Sequence, residues 1–414
     1  MSQRKSSKSS SSQQSPLLRL IGALIGAIIL VIAGLLSQPS GGPATITPTT
    51  SGARPTTAVP VTFTPSGGTQ VAVVGAFQSI AVGQGFGYTR DFWQVYFTAP
   101  TGSRSSADYV GGIDVNLAAA LDSVRSTLDI VAFEFNSPAI TAAVLRAVDR
   151  GVRVRMVTDD EHGLHDEEAT INQLIAAGVT VVDDSRTALM HNKFMILDSS
   201  VVWTGSWNYT INDTYRNNNS AVVLRSRNAV ETYQAEFNEM FDGRFFGPRS
   251  SARNTANFTQ DGISIQIFFA PENNVNEVIA RTVATAQRSI RFMAFSFTLD
   301  DVAAAIQERF GEGVVVQGIF ETTGSLQPAS ELTPLSCAGM EMRQDGNPFF
   351  LHHKVFIIDE QTVLVGSFNF SASATNSNDE NMLIITDPDI ATLYIQEFER
   401  RWREATVPGS LQCG

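Results

Sequence analysis

Lysine is nearly absent from this 414-residue chain, occurring only as Lys5, Lys8, Lys193 and Lys354. Beyond residue 70 just the last two remain, and arginine supplies every other fixed cation. A compact ammonium is therefore kept at two places where a planar guanidinium would not serve. Cysteine is scarce too. Cys337 and Cys413 rule out a disulfide-rich scaffold, and neither spacing suits a metal. Their pairing with each other stays open at this level, against two free or buried thiols. No dinucleotide loop is present, because Gly83-Gln-Gly85-Phe-Gly87 leads into no helix and reads as a hairpin turn. Acidic residues are missing from residues 1–69, which hold five basic ones, so the remainder has 24 basic against 41 acidic residues, a net charge of −17. Such a body is repelled by nucleic acid and gains little from steering by a phosphate backbone.

What is present is one dense polar motif, twice. His191, Lys193 and Asp198 form H-x-K-x4-D, followed by Gly205-Ser206-Trp-Asn208. His352, Lys354 and Asp359 repeat it, followed by Gly366-Ser367-Phe-Asn369, with every equivalent pair 161 residues apart. A motif repeated at one fixed spacing marks two copies of one structural unit. Histidine and lysine two apart in a β-prone run share one strand face, while Phe194 and Ile196, or Val355 and Ile357, take the other. Asp198 and Asp359 are good turn starters. A second strand then delivers Ser206 and Asn208, or Ser367 and Asn369. Histidine, lysine, serine and asparagine at neighbouring strand ends suit a phosphate: a nucleophile or acid, a fixed cation and neutral donors. A plain hairpin with an ion-paired lysine and a capping asparagine would not be repeated in register.

These residues resemble the phospholipase D superfamily, over roughly residues 91–404. The resemblance implies a two-lobed phosphodiesterase without metal or cofactor, in which one histidine becomes a phosphohistidine and the other works as acid and base. It implies catalytic roles for His191, Lys193, Asp198, His352, Lys354 and Asp359, and substrate binding by Ser206, Asn208, Ser367 and Asn369. It favours His191 as nucleophile and His352 as acid, with the reverse assignment left open by the near-equivalence of the units. Glu380 stands where the family's supporting carboxylate is expected. Its equivalent, Asn219, departs from that pattern, since an amide fixes a tautomer but brings no charge to an imidazolium.

Along the chain, residues 1–16 read as a disordered basic tail. Residues 17–36 read as a transmembrane anchor, uncharged over 20–36, with a cleaved signal peptide as the rival. Basic residues only on its N-terminal side put the rest of the chain outside the cytoplasm, tethered by a single pass or, in the rival reading, secreted. Residues 37–69 are a Thr/Pro-rich linker. Residues 70–247 and 248–414 then form the two units, each with strands alternating with helices. The expected fold class is α/β: two tandem α/β sandwich units related by a pseudo-twofold, each with a central mixed sheet flanked by helices. Residues 243–260 read as the join between units. His162 and His165 sit in an acidic loop that reads as the mouth of the cleft, with zinc binding the weaker alternative. Neither motif offers a carboxylate cluster suited to a divalent cation.

The leading functional reading is a membrane-anchored, monomeric phospholipase D-type enzyme acting on a phospholipid headgroup diester. The runner-up is a metal-independent endonuclease of the same superfamily, disfavoured by the acidic charge. A catalytically dead binding module is the third, and two intact motifs argue against it.

Overall fold

The computed structural model describes residues 77–251, 253–409 and 411–413. The expected tail, anchor and linker lie outside the described residues. Among the described residues no helix is long and apolar enough to cross a membrane.

The first half builds a sheet from β1 (Gln78–Ile80), β2 (Gly85–Arg90), β3 (Trp93–Thr98), β4 (Thr127–Ala132), β5 (Arg153–Thr158), β6 (Thr180–Asp183), β7 (Phe194–Leu197), β8 (Val201–Gly205) and β9 (Ser220–Leu224). Their spatial order is β1-β2-β3-β9-β8-β7-β4-β5-β6. The second half uses β10 (Ala256–Gln260), β11 (Ile263–Ala270), β12 (Ser289–Ala294), β13 (Val315–Phe320), β14 (Glu341–Gln344), β15 (Lys354–Ile358), β16 (Thr362–Gly366) and β17 (Glu380–Thr386). Its order, β10-β11-β17-β16-β15-β12-β13-β14, reproduces the first once the edge strand β1 is set aside. Residues 256–260, expected as part of the join, are thus a strand, paired antiparallel with β11.

Each sheet is mixed. β4, β5 and β6 run parallel, as do β12, β13 and β14, while the motif hairpins β7–β8 and β15–β16 are antiparallel. The parallel strands need crossovers. These are α1 (Ile113–Asp122), α2 (Pro138–Asp149) and α3 (Ile171–Ala176) around the first set of strands. After them come α4 (Ile211–Tyr215) and α5 (Arg227–Phe241). The second half matches them with α6 (Val275–Val283), α7 (Asp300–Gly311), α8 (Leu332–Cys337), α9 (Ala372–Asn376) and α10 (Pro388–Glu404). Helix starts follow the sequence: Ser137, Ser226 and Asp387 each accept a backbone N–H three residues on, and Pro138 and Pro388 occupy first-turn positions.

Both faces of each motif hairpin are buried, which is why its strands read as apolar runs. Met195, Leu197 and Trp203 face one core with Leu117 and Val144, and Phe356 and Leu364 face another with Ile279 and Ile306. On the opposite faces Phe194, Ile196, Val355 and Ile357 enter a single core common to the two halves, filled by Tyr233 and Phe237 of α5 and by Tyr394 and Phe398 of α10. The sheets are therefore welded together along the strands that lead from the motifs. Cys337 and Cys413 are disulfide bonded, tying the C-terminal tail to the end of α8.

Candidate active site

The glycine of each Gly-Ser-x-Asn segment has a steric reason. A Cβ on Gly205 would stand 2.3 Å from the carbonyl oxygen of Ser220, and one on Gly366 2.1 Å from that of Asn381. Only glycine lets the end of β8 lie against the start of β9, and β16 against β17. That approach brings Ser206 to Asn219 and Ser367 to Glu380. The Ser206 hydroxyl donates to Asn219 Oδ1 at 2.9 Å, and the Ser367 hydroxyl to Glu380 Oε2 at 2.7 Å.

The two halves then exchange partners. His191, from the first half, has its Nδ1 2.7 Å from Glu380 Oε2 of the second. His352, from the second half, has its Nδ1 2.9 Å from Asn219 Oδ1 of the first. The backbone repeats the crossing: the N–H of His191 donates to Asp379 and that of His352 to Asn218. With Nδ1 donating, each ring presents its Nε2 lone pair for chemistry. The side chains of His191 and His352 are 5 % and 10 % exposed, so the site is nearly closed.

Both motif lysines are fully buried. Lys193 Nζ donates to the carbonyl of His191 at 2.7 Å and lies 4.7 Å from the Phe133 ring centroid, and Lys354 Nζ donates to His352 at 3.0 Å, 4.9 Å from Phe295. Phe133 and Phe295 also pack edge-on against His191 and His352, so each aromatic ring floors one His–Lys pair. Burial pushes the Lys193 ammonium down to about 8, against the pull of Glu380 and Glu134, and burial with the charge of Lys193 takes Lys354 to about 7. Burial, then the charges of Lys193 and Lys354, hold His191 well below its ordinary value. Burial lowers His352 to about 4, opposed by Asp213. Glu380 is raised to about 7 by burial, with Lys193 opposing.

The structure gathers His191, Lys193, His352, Lys354, Asn219 and Glu380, but not the motif aspartates. Asp198 accepts the backbone N–H groups of Arg125, Ser126 and Thr127, and Asp359 those of Gln287, Arg288 and Ser289. Each lies beyond the far end of a four- or five-residue strand, about 3.3 Å per residue away from the lysine. Expected among the catalytic residues, they are placed by the structure at the hairpin corner, which they pin to the start of the neighbouring strand. Ser206 and Ser367, expected to bind substrate, are likewise fully buried behind the histidines with their hydroxyls committed to Asn219 and Glu380. Histidine and lysine were expected on a strand face, yet β7 begins only at Phe194 and His352 precedes β15, so the motif histidines lie on extended lead-ins. Asn208 does face the centre, its Nδ2 donating to Glu134 Oε2 at 3.2 Å. The amide oxygens of Asn208 and Asn369 are buried without a hydrogen-bond partner.

Sequence reasoning missed Phe133, Phe295, Glu134 and Asp213. The phenylalanines had a signal, the Ala-Phe-x-Phe shared by both halves. Glu134 and Asp213 had none, since Ser296 and Ala374 stand at their equivalents. Burial and then the charge of Asp213 raise Glu134 to about 8. His162 packs at a tilt against Phe133, ring centroids 4.9 Å apart, and so borders the site. Among the described residues the one group spaced to share a cation is Asp159, Asp160 and Asp184, without either loop histidine.

Comparison with known proteins agrees with this geometry. Residues 117–241 and 279–402 match a family model described as cardiolipin synthase, PLD-like domain. A mitochondrial cardiolipin hydrolase of Xenopus tropicalis is 38 % identical over 119 residues, 29 % of this chain and 57 % of that protein. A phospholipase D of Rickettsia bellii is 34 % identical over 133 residues, 32 % of this chain and 66 % of that protein. The chain thus spans between about half and two thirds of the length of these relatives. The crystal structure of a Haemophilus influenzae phosphatidylserine synthase aligns over 72 % of this chain and 85 % of its own, with a TM-score of 0.57 and 13 % identity, a likeness of fold.

Proposed function

The chain belongs to the phospholipase D-like family, and from that premise we propose that it is a phosphodiesterase hydrolysing the headgroup diester of a phospholipid through a phosphohistidine intermediate. The observation that carries the reading is the crossed support of two buried imidazoles, His191 on Glu380 and His352 on Asn219, beside two buried ammoniums. His191 Nε2 attacks phosphorus while the bond to the headgroup oxygen breaks, and that oxygen takes the proton from His352 Nε2. Water then attacks the phosphohistidine and gives its proton to His352, and the phosphorus–nitrogen bond breaks to restore His191. Lys193 and Lys354 neutralise the non-bridging oxygens, and Asn208 and Asn369 orient the group. The partnerless amide oxygens of those asparagines are acceptors waiting for the hydroxyl of the alcohol or water.

Lipid is favoured over nucleic acid by the net charge of −17 beyond residue 69 and by the uncharged apolar run 20–36, proposed as a membrane anchor. Relatives named as cardiolipin hydrolase and phospholipase D support the same choice. The test is the purified full-length protein on labelled phosphatidylcholine, cardiolipin and single-stranded DNA side by side. Headgroup or phosphatidyl release from lipid is expected, abolished in His191→Ala together with the trapped phosphoenzyme. Cleavage of DNA alone would overturn the lipid reading.

A further inference from the structure

The halves differ at the second atom layer in a reciprocal way. Where the second half has Glu380, the first has Asn219; where the first half has Asp213, the second has Ala374, and both pairs are 161 apart. Asp213 lies on α4, whose N-cap Thr210 accepts its backbone N–H at 3.1 Å. It is buried, and its Oδ2 stands 3.3 Å from His352 Nδ1, the nitrogen that also meets Asn219. The same Oδ2 accepts the backbone N–H of Asn208 at 2.8 Å. The neighbouring asparagines follow the carboxylate. Asn217 Nδ2 donates to Asp213, whereas its equivalent Asn378 turns its Nδ2 to Glu380. We infer that Asp213 is the positioning acid of His352, standing in for the carboxylate missing at Asn219, so that each imidazole keeps one carboxylate from the first or second half.

The physical need is a counter-charge. A buried imidazolium beside two ammoniums is not stabilised by an amide, which contributes geometry alone. The charged groups facing His352 are Lys354 at the start of the strand that follows it, Lys193 and His191 from the first half, and Asp213 from α4, which lies against its Nδ1 and favours its protonation where both lysines oppose it. Glu380 is shared differently: it accepts from Ser367 and lies in the field of both lysines as well as on His191. The two histidines are thereby made unequal. His191 stays neutral and nucleophilic, and His352 is the one equipped to carry the proton.

This rests on the hydrolytic reading above, and the experiment separates the two. Asp213→Asn, Asn219→Glu and the double variant are compared with wild type for pH–rate profile and thermal stability. The substrates are a p-nitrophenyl diester and an alkyl diester. A general acid contributes roughly 10²–10⁴-fold, so Asp213→Asn should lose about 100-fold on the alkyl diester and under about 10-fold on the activated one. Loss of the anion lowers the His352 pKa, so the descending basic limb should move down by about one pH unit or more. Asn219→Glu alone places a second carboxylate on the ring and should move that limb up. The double variant should recover most of the alkyl-diester activity and return the limb towards wild type. Equal losses on both diesters, an unshifted limb in folded Asp213→Asn, or no recovery in a folded double variant overturns the inference. If Asp213→Asn fails to fold, an unshifted limb in Asn219→Glu does so. A wild type inactive on every diester would instead remove the hydrolytic reading itself.

Discussion

At the scale of the residue, the motif lysines are chosen for size as much as charge. Lys193 and Lys354 have no solvent exposure and sit between a histidine carbonyl and a phenylalanine ring. A guanidinium is wider, carries five donors and has no room to flatten there. Lys193→Arg and Lys354→Arg keep the charge but should each lower kcat by about 100-fold or more, the scale of losing one preorganised electrostatic contact. Steady-state kinetics on folded protein checks this. Activity within threefold of wild type would mean that charge alone suffices, and the scarcity of lysine elsewhere would lose its explanation.

At the scale of the element, the aspartate that closes H-x-K-x4-D belongs to the hairpin corner. Asp198 and Ser199, like Asp359 and Glu360, have left-handed backbone, with φ of 49°, 48°, 52° and 60°. Aspartate tolerates this better than most residues. Burial alone would raise the Asp198 carboxyl, but the N–H groups of Ser126, Arg125 and Thr127 bring it below its usual value. Its folded pKa is depressed, so its contribution is present above the unfolded pKa and fades as pH falls through the folded one. Asp198→Ala strands three backbone donors and should cost about 1–3 kcal/mol, read from a denaturant midpoint near pH 7. The folded variant should keep kcat within about threefold of wild type, since the corner lies a whole strand, at about 3.3 Å per residue, from the lysine. A collapse of kcat with stability intact would restore a catalytic role to the motif aspartates.

At the scale of the whole molecule, the two halves are one cooperative body. Their sheets share a core through α5 and α10, Arg90 of β2 pairs with Asp387 and Asp389 at the start of α10, and Tyr394 donates to Ser220. Each histidine also needs the other half's support. A single unfolding transition of residues 77–413 is expected, with loss of activity coincident. Its pH dependence follows from the buried acids. Asp184, Glu321, Asp379 and Glu380 are raised to about 7, and Glu134 and Glu272 to about 8, chiefly by burial. Their folded pKa values exceed the unfolded ones, so the native state binds more protons between about pH 4.5 and 8 and stability falls as pH rises. His191, His352 and His353 are lowered by burial and work the opposite way below pH 6.5, and Lys354 and Lys193, lowered to about 7 and 8, do so from about pH 7 upward, but these five are fewer than the six raised acids. Calorimetry should therefore give a higher Tm at pH 5.5 than at pH 8, and the reverse order would mean that those carboxyls are ionised in the native state.

The amino-acid sequence by itself determined the repeat, the alternation of strands and helices, and the His–Lys pairs, because each is carried by local spacing: 161 between copies, two between the cation and its histidine. Gly205 and Gly366 were legible as part of the pattern, though their reason, a close approach to the next strand, was not. What only the tertiary structure decided is who meets whom. The crossing of His191 to Glu380 and of His352 to Asn219 joins residues more than 130 apart, and no local period encodes it. The same holds for Asp213, whose equivalent is an alanine, and for the disulfide, which needed Cys337 and Cys413 to be brought within 5.5 Å between Cα atoms. Asp198 and Asp359 stand apart from the rest of their motif for a related reason. A strand carries consecutive residues in one direction, so the two ends of a single motif are necessarily far apart in space. The chemistry collected instead where two separate chain segments were folded onto one another.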